Sequence, residues 1–317
     1  MKKEFGELFS NTCTIIGEYE INTPSMMLLK RINKLNLKKN NINYHIEISA
    51  LAYQKKIVVN TEPDANFCEI FKIVTEILRF ENIFEGCFYK IVSYKFAENE
   101  YIEKIKKYLL SYFESSYSFT PFPFQYNDKD YRKLFFKWKK LKQDWGIIHS
   151  MFLYSTYTKG ITSDIKMALL LEVFEPIAEQ LYTEGEIVLK KAPYKTFSER
   201  CTNCGNIVTK TVVNKSLYFA DKLKPVITKF GCEIFQKENI DKLIEYSVGV
   251  RNKVDHVKKT SNKCMSGKQC GFYLYKFSLL YRFIVLKRLG IHELQLKPTI
   301  ISWRERFDKK YRMYIIR

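Results

Sequence analysis

The apolar positions along the chain change their period once, and that change divides it. Residues 40–60, NNINYHIEISALAYQKKIVVN, mix β-branched and aromatic residues in short runs set apart by Asn-rich and Lys-rich stretches, which predicts two strands and a turn. Between Ala65 and Arg79 the residues Phe67, Ile70, Phe71, Val74, Ile77 and Leu78 recur at helical spacing, and Cys87 to Phe96 reads as a further strand. The stretch SYSFTPFPFQYNDKD, with two prolines among polar residues, breaks every periodic pattern and marks a boundary.

From Tyr131 the pattern is helical almost to Ile291. The segment YRKLFFKWKKLKQDWGIIHSMFLYS sets Leu134, Trp138, Leu141 and Trp145 three to four residues apart. A second helix is expected over Asp164 to Glu184, with Ile165, Ala168, Leu169, Phe174, Ile177 and Leu181 on its inner stripe and a kink at Pro176. A longer connection holding Cys201 and Cys204 follows, then helices over about 215–230 and 237–255, and a last long one over about 268–289 that stops at Gly290. The predicted fold class is α+β: a mixed α/β N-terminal domain over residues 1–128, an all-α helical bundle over 129–292, and a basic C-terminal extension over 293–317.

Composition supports a folded chain, since hydrophobic residues make up 46% against 12 Gly and 8 Pro in 317 residues. Charge changes the picture more. The 53 Lys and Arg against 34 Asp and Glu give a formal net charge of +19, which attracts polyanions and makes nucleic acid the natural partner, although a Lys-rich solvated surface would look the same. The start, MKKEFGELFSNTC, has no apolar run of signal-peptide length, and Phe272 to Leu289 is interrupted by Lys276, Arg282, Lys287 and Arg288. A soluble cytoplasmic protein without a membrane partner is expected. Eight cysteines in such a chain favour reduced thiols or a metal site over disulfides.

One charged position carries candidate chemistry. In the helix from Glu238 the apolar stripe is Ile240, Leu243, Ile244 and Val248, and the same step lands on Arg251. A buried guanidinium costs several kcal/mol unless a carboxylate pairs with it or a cleft opens to a phosphate, and Glu175 on the second helix is a candidate partner. A structural Arg–Glu pair joining two helices would give the same pattern. His256 lies five residues on, about 140° around an ideal helix, so the two side chains share one site only if the helix ends or a second subunit contributes.

The run Arg251-Asn252-Lys253-Val254-Asp255-His256 resembles the R-N-x-x-x-H signature of HEPN ribonucleases. It stands near the end of the penultimate long helix, before a helix ending YRFIVLKRLGI that is similar to the closing helix of the ApeA-like HEPN branch. The Trp-containing FFKWKKLKQDW and the acidic LLLEVFEPI resemble the helices that lead that branch, and the resemblance covers about residues 129–292. The region before it is loosely similar to the β-rich front domain of the ApeA family, and shorter.

The resemblance implies a metal-independent endoribonuclease linked to anti-phage abortive infection, or a toxin, in which two copies pair so that two Arg–His sets form one cleft. RNA supplies its own 2′-hydroxyl nucleophile, so the protein needs a proton carrier and a cation for the charged pentacoordinate phosphate. His256 suits the first role, Arg251 the second, and Asn252 can orient His256 or bind a phosphate oxygen. Asp255 is equally well read as a solvated helix-end carboxylate. A phage-derived trigger sensed by residues 1–128 is a further implication. The alternative from another class is a catalytically silent HEPN scaffold that binds RNA or a partner protein; a zinc-ribbon DNA binder fits less well, because no recognition helix with its own turn is visible.

Two further patterns bear on partners. Cys201 and Cys204 form a C-x-x-C knuckle, and Cys264 and Cys270 a second pair in a loop after His256, so a shared structural zinc and independent thiols both stay open. No metal is expected in catalysis. Cys13, Cys68, Cys87 and Cys232 read as small buried residues. The basic run Arg132, Lys133, Lys137, Lys139, Lys140 and Lys142 could line an RNA path with Trp138, or be a solvated helix face.

Overall fold

The computed structural model describes residues 9–18, 28–52, 54–86, 90–96, 130–158, 160–189, 194–200, 204–213, 217–256 and 264–317. The fold is α+β. By its contacts the chain divides into two compact units, one of Met1–Gly146 with Tyr157–Lys159 and Val285–Leu296, the other of Ile147–Thr156 with Gly160–Ile284 and Lys297–Arg317.

The first unit is built on a five-stranded antiparallel sheet of β1 (Phe9–Glu18), β2 (Leu28–Lys39), β3 (Ile42–Ala52), β4 (Gln54–Asn66) and β5 (Lys90–Phe96), in the order β2-β3-β4-β1-β5. On β3 and β4 the period of two is kept: Tyr44, Ile46, Ile48, Ile57 and Val59 are buried, and His45, Glu47, Lys56 and Asn60 are exposed. Asn40 and Asn41 join β2 to β3 with φ of 51° and 61°, the left-handed pair that a two-residue hairpin turn requires. The two strands expected over residues 40–60 are β3 and β4. The strands β1 and β2 were not foreseen; β2 is an edge strand rich in lysine, a composition that protects an edge and hides a strand.

Helix α1 (Phe67–Glu85) packs on β4 and β1. The Asn66 side chain caps it by accepting from Cys68 N at 2.7 Å, and Gly86 ends it at φ 73°. Its inner face meets a cation, because Lys55 points inward from β4 and pairs with Glu81 and, at 2.7 Å, with Glu85. Burial pulls the Lys55 pKa down, but the two carboxylates outweigh it and hold the ammonium charged. Tyr131 donates to Glu81 at 3.0 Å, and beside it Phe80 packs edge to face on Phe135, with Trp138 tilted against both rings. Trp138, set by its spacing on the apolar stripe and offered by the basic run to an RNA path as one alternative, is core at 2% exposure.

Helix α2 (Tyr131–Tyr157) is the long leading helix. The helix expected over Asp164 to Glu184 is two, α3 (Ser163–Glu172) and α4 (Phe174–Thr183), joined at Val173. Pro176 explains the break: it has no N–H for the Glu172 carbonyl, and its ring crowds that oxygen. The buried stripe runs on through the junction as Met167, Leu170, Leu171, Phe174, Ile177, Ala178 and Leu181, and Ile165 lies off it at 39% exposure. The expected connection around Cys204 contains a hairpin of β6 (Tyr194–Arg200) and β7 (Ile207–Val213). Then follow α5 (Phe219–Phe230), α6 (Ile240–His256), α7 (Gly267–Arg288) and α8 (Glu293–Lys310). Gly290, at φ 88°, ends the α7 turn as expected. In the second unit Phe174, Phe235 and Phe277 form an aromatic centre, and α3 packs on α6 while α5 packs on both α4 and α6. No helix among the described residues is long and apolar enough to cross a membrane.

Candidate functional site

The apolar stripe of α6 buries Leu243, Ile244, Ser247 and Val250 and reaches Arg251 one turn before the helix ends. That position aims the guanidinium at the α3–α4 break. Because Val173 keeps helical dihedrals, Glu172 and Glu175 stand three residues apart on one face, on opposite sides of the junction. Arg251 Nη2 donates to Glu172 Oε2 at 2.9 Å and to Glu175 Oε2 at 2.7 Å, and Nε donates to Glu172 Oε1. The pair with Glu172 is bidentate, the geometry that suits a planar fork. The Phe219 ring lies 4.6 Å from the guanidinium carbon and covers one of its faces.

The network continues. Lys222 on α5 donates to Glu175 Oε1 and to Glu179 Oε1, each at 2.6 Å. Burial pushes the Glu175 carboxyl up, but Lys222 and Arg251 outweigh it, so its pKa lies below the usual carboxylate range. Burial likewise lowers Lys222, and Glu175 and Glu179 raise it above the ordinary lysine value. Two cations thus face three carboxylates. Arg251 is 21% exposed, so water partly screens these contacts and each is worth less than a fully buried pair.

The sequence named Glu175 as a partner for Arg251, and the structure puts the two together. Glu172 was missed. Its signal was present, since a carboxylate three residues from Glu175 shares its helix face, but a helix read as kinked at Pro176 gave no reason to keep that phase. Asn252 is exposed beside Arg251. His256 is the last residue of α6, and its side chain, like that of Asp255, lies outside the described residues.

The four candidate zinc ligands are not seen as a cluster. Cys201 lies outside the described residues, Cys204 is exposed, Cys264 is half-buried and Cys270 is buried in the first turn of α7. Burial pushes the Cys270 thiol up to about 12, Cys264 and Asp164 push the same way, and Lys253 opposes them. Among the described residues no group of three or more His, Cys, Asp or Glu side chains could hold a metal. Cys13 and Cys68 are buried as expected, Cys232 is exposed and not buried, and Cys87 lies outside the described residues.

Comparison with curated proteins and with solved structures gives no match. Comparison with protein families gives one, the Apea-like HEPN model, over residues 168–295. The matched stretch takes in Glu172 and Glu175, Lys222, Arg251 and the whole of α6, and it points to a nuclease or RNA-related role with a theme of anti-phage defence. Over residues 168–295 the chain is similar to the Apea-like HEPN family.

Proposed function

We propose that the chain is a HEPN-type endoribonuclease that cleaves RNA without a metal, by attack of the 2′-hydroxyl on the adjacent phosphorus, in abortive infection against phage or as a toxin. The observation that carries this reading is Arg251-Asn252-x-x-x-His256 at the end of a helix inside the matched family segment. His256 takes the 2′-hydroxyl proton or returns one to the 5′-oxygen leaving group, and Arg251 stabilises the charge on the phosphorane oxygens. Asn252 orients His256 or binds a phosphate oxygen, and Glu175 fixes the arginine fork. The catalytic domain is residues 129–292, with residues 1–128 as the sensor of a phage-derived trigger and 293–317 as a C-terminal extension. In EDTA the purified chain should cut bulk RNA and leave 2′,3′-cyclic phosphate ends; intact RNA under every condition tried would refute the reading.

One observation favours the second reading, a silent scaffold that binds RNA or a protein. The Arg251 fork is already engaged by Glu172 and Glu175, so a phosphate has to compete with two carboxylates. Under that reading RNA is bound and never cut.

Assembly belongs to the same proposal. On an ideal helix positions five apart diverge by about 140°, so a cleft using both Arg251 and His256 draws on two copies through the helical domain. Light scattering at micromolar concentration should report a homodimer. A monomer whose cleavage rate per chain does not depend on concentration would argue against it.

The zinc component rests on the pairing of Cys264 with Cys270 near α6 and on the knuckle Cys201–Cys204. Protein prepared without chelator should carry one zinc per chain, with no effect on cleavage when it is removed, because four thiolates leave no open position. Elemental analysis without zinc sinks this component alone.

A further inference from the structure

We infer that the exposed face at the start of α2, formed by Arg132, Lys133, Phe136 and Lys140, is a binding surface for single-stranded RNA. The inference rests on the proposed RNA substrate but concerns a different surface from the Arg251 site.

Six cations lie in this part of α2; Lys139 is half-buried, and the structure separates the other five by what they touch. Lys137 donates to the Leu289 carbonyl at 2.9 Å, and Lys142 pairs with Glu76 at 3.1 Å, so both belong to the packing of the first unit. Arg132, Lys133 and Lys140 are exposed and have no carboxylate partner among the described residues. Asp130 and Asp144 bound the stretch, and no acid lies between them in the sequence. Helix stability does not account for these charges, since Arg132 and Lys133 stand in the first turn, where the helix dipole opposes cations.

The aromatic residue on this face is Phe136, 42% exposed, with the Arg132 guanidinium 5.9 Å from its ring centre. Arg132, Phe136 and Lys140 follow each other at steps of four, so they form one row about 12 Å long on the outer side of the helix. A ring flanked by unpaired cations is what a single strand needs: the cations meet phosphates and the ring stacks on a base. An anionic membrane offers the same charge, but a helix lying on a bilayer inserts its apolar face. Here Leu134, Phe135 and Trp138 are already buried in the core.

The test uses a dye-labelled uridine 20-mer and fluorescence anisotropy across a salt series in EDTA, with His256→Ala in every chain so that nothing is cut. Substituting Arg132→Gln, Lys133→Gln and Lys140→Gln together should weaken binding at least tenfold at low salt. It should also flatten the slope of log K against log salt by about 2, since each cation on a single strand contributes roughly 0.7. Phe136→Leu keeps the slope and lowers affinity roughly five- to hundredfold, the loss expected for one stacked base. Unchanged affinity and slope in the triple variant would overturn the inference, and so would loss of binding to phosphatidylserine vesicles with oligonucleotide binding retained. In a chain with His256 intact, the triple variant should raise KM and leave kcat unchanged. Cleavage that continues with KM unaltered removes this surface and leaves the nuclease reading standing, whereas binding that depends on the surface in a chain that never cuts does the reverse.

Discussion

His256→Ala should lower RNA cleavage by about a hundred- to ten-thousandfold while leaving the fold unchanged, because a proton-transfer group typically contributes that much to rate. Arg251→Ala should lose as much, but by another route and with a cost in stability. Removing the guanidinium leaves Glu172 and Glu175 with Lys222 as their remaining cation in this network, and the charge-assisted bonds lost are worth about 1–3 kcal/mol at a site this exposed. Cleavage by Arg251→Ala must therefore be compared at equal folded fraction, by circular dichroism on the same samples. The double variant should be little worse than either single one, since groups that act as a unit are not additive. Full cleavage by His256→Ala, together with unfolding of Arg251→Ala, would make Arg251 a structural ion-pair residue and remove the active-site assignment.

The parts of the site are not equally legible in the sequence. Arg251 could be read from the apolar stripe of α6, since a cation on a core-facing row demands a partner, and Glu175 on α4 meets that demand. Glu172 could not be read, because its position depends on how α3 and α4 join at Val173, and a proline predicts a break without fixing the phase across it. The same limit applies to the first unit. Strands β3 and β4 announce themselves by alternation, whereas β2 is written in lysine and asparagine, as a guarded edge is, and only its pairing with β3 makes it a strand. Trp138 sits among six basic residues, yet its three-to-four spacing with Leu134 and Leu141 sends it inward, while Phe136 off that stripe faces out.

Lys276→Met should be among the most destabilising single changes in the second unit. In the sequence Lys276 only interrupts an apolar run; in the fold it is fully buried on α7, 2.5 Å from Glu238 Oε1, 2.7 Å from Asp308 Oδ1 on α8 and 3.1 Å from the Ile234 carbonyl. One cation thus serves two carboxylates. Burial pushes the Glu238 carboxyl above the usual carboxylate range, Lys276 pulls it back and Asp308 pushes it further up. Methionine fills the lysine volume but strands the acids without a cation, and breaking a buried pair in this way costs about 3–5 kcal/mol. Glu238→Gln leaves Asp308 to pair with Lys276 and should cost less than Lys276→Met. The pH dependence has a definite sign. A raised folded pKa means that the native state binds the proton more tightly than the unfolded chain, so this contribution is complete below the ordinary carboxylate pKa and is lost as pH rises through the folded value. Glu238→Gln should flatten that limb. Combining Lys276→Met with Glu238→Gln and Asp308→Asn should recover part of the loss, since no buried charge is left without a partner. Urea unfolding at constant m-value measures each variant, and a Lys276→Met midpoint no lower than that of Glu238→Gln would show that the trio does not hold α8 to the bundle.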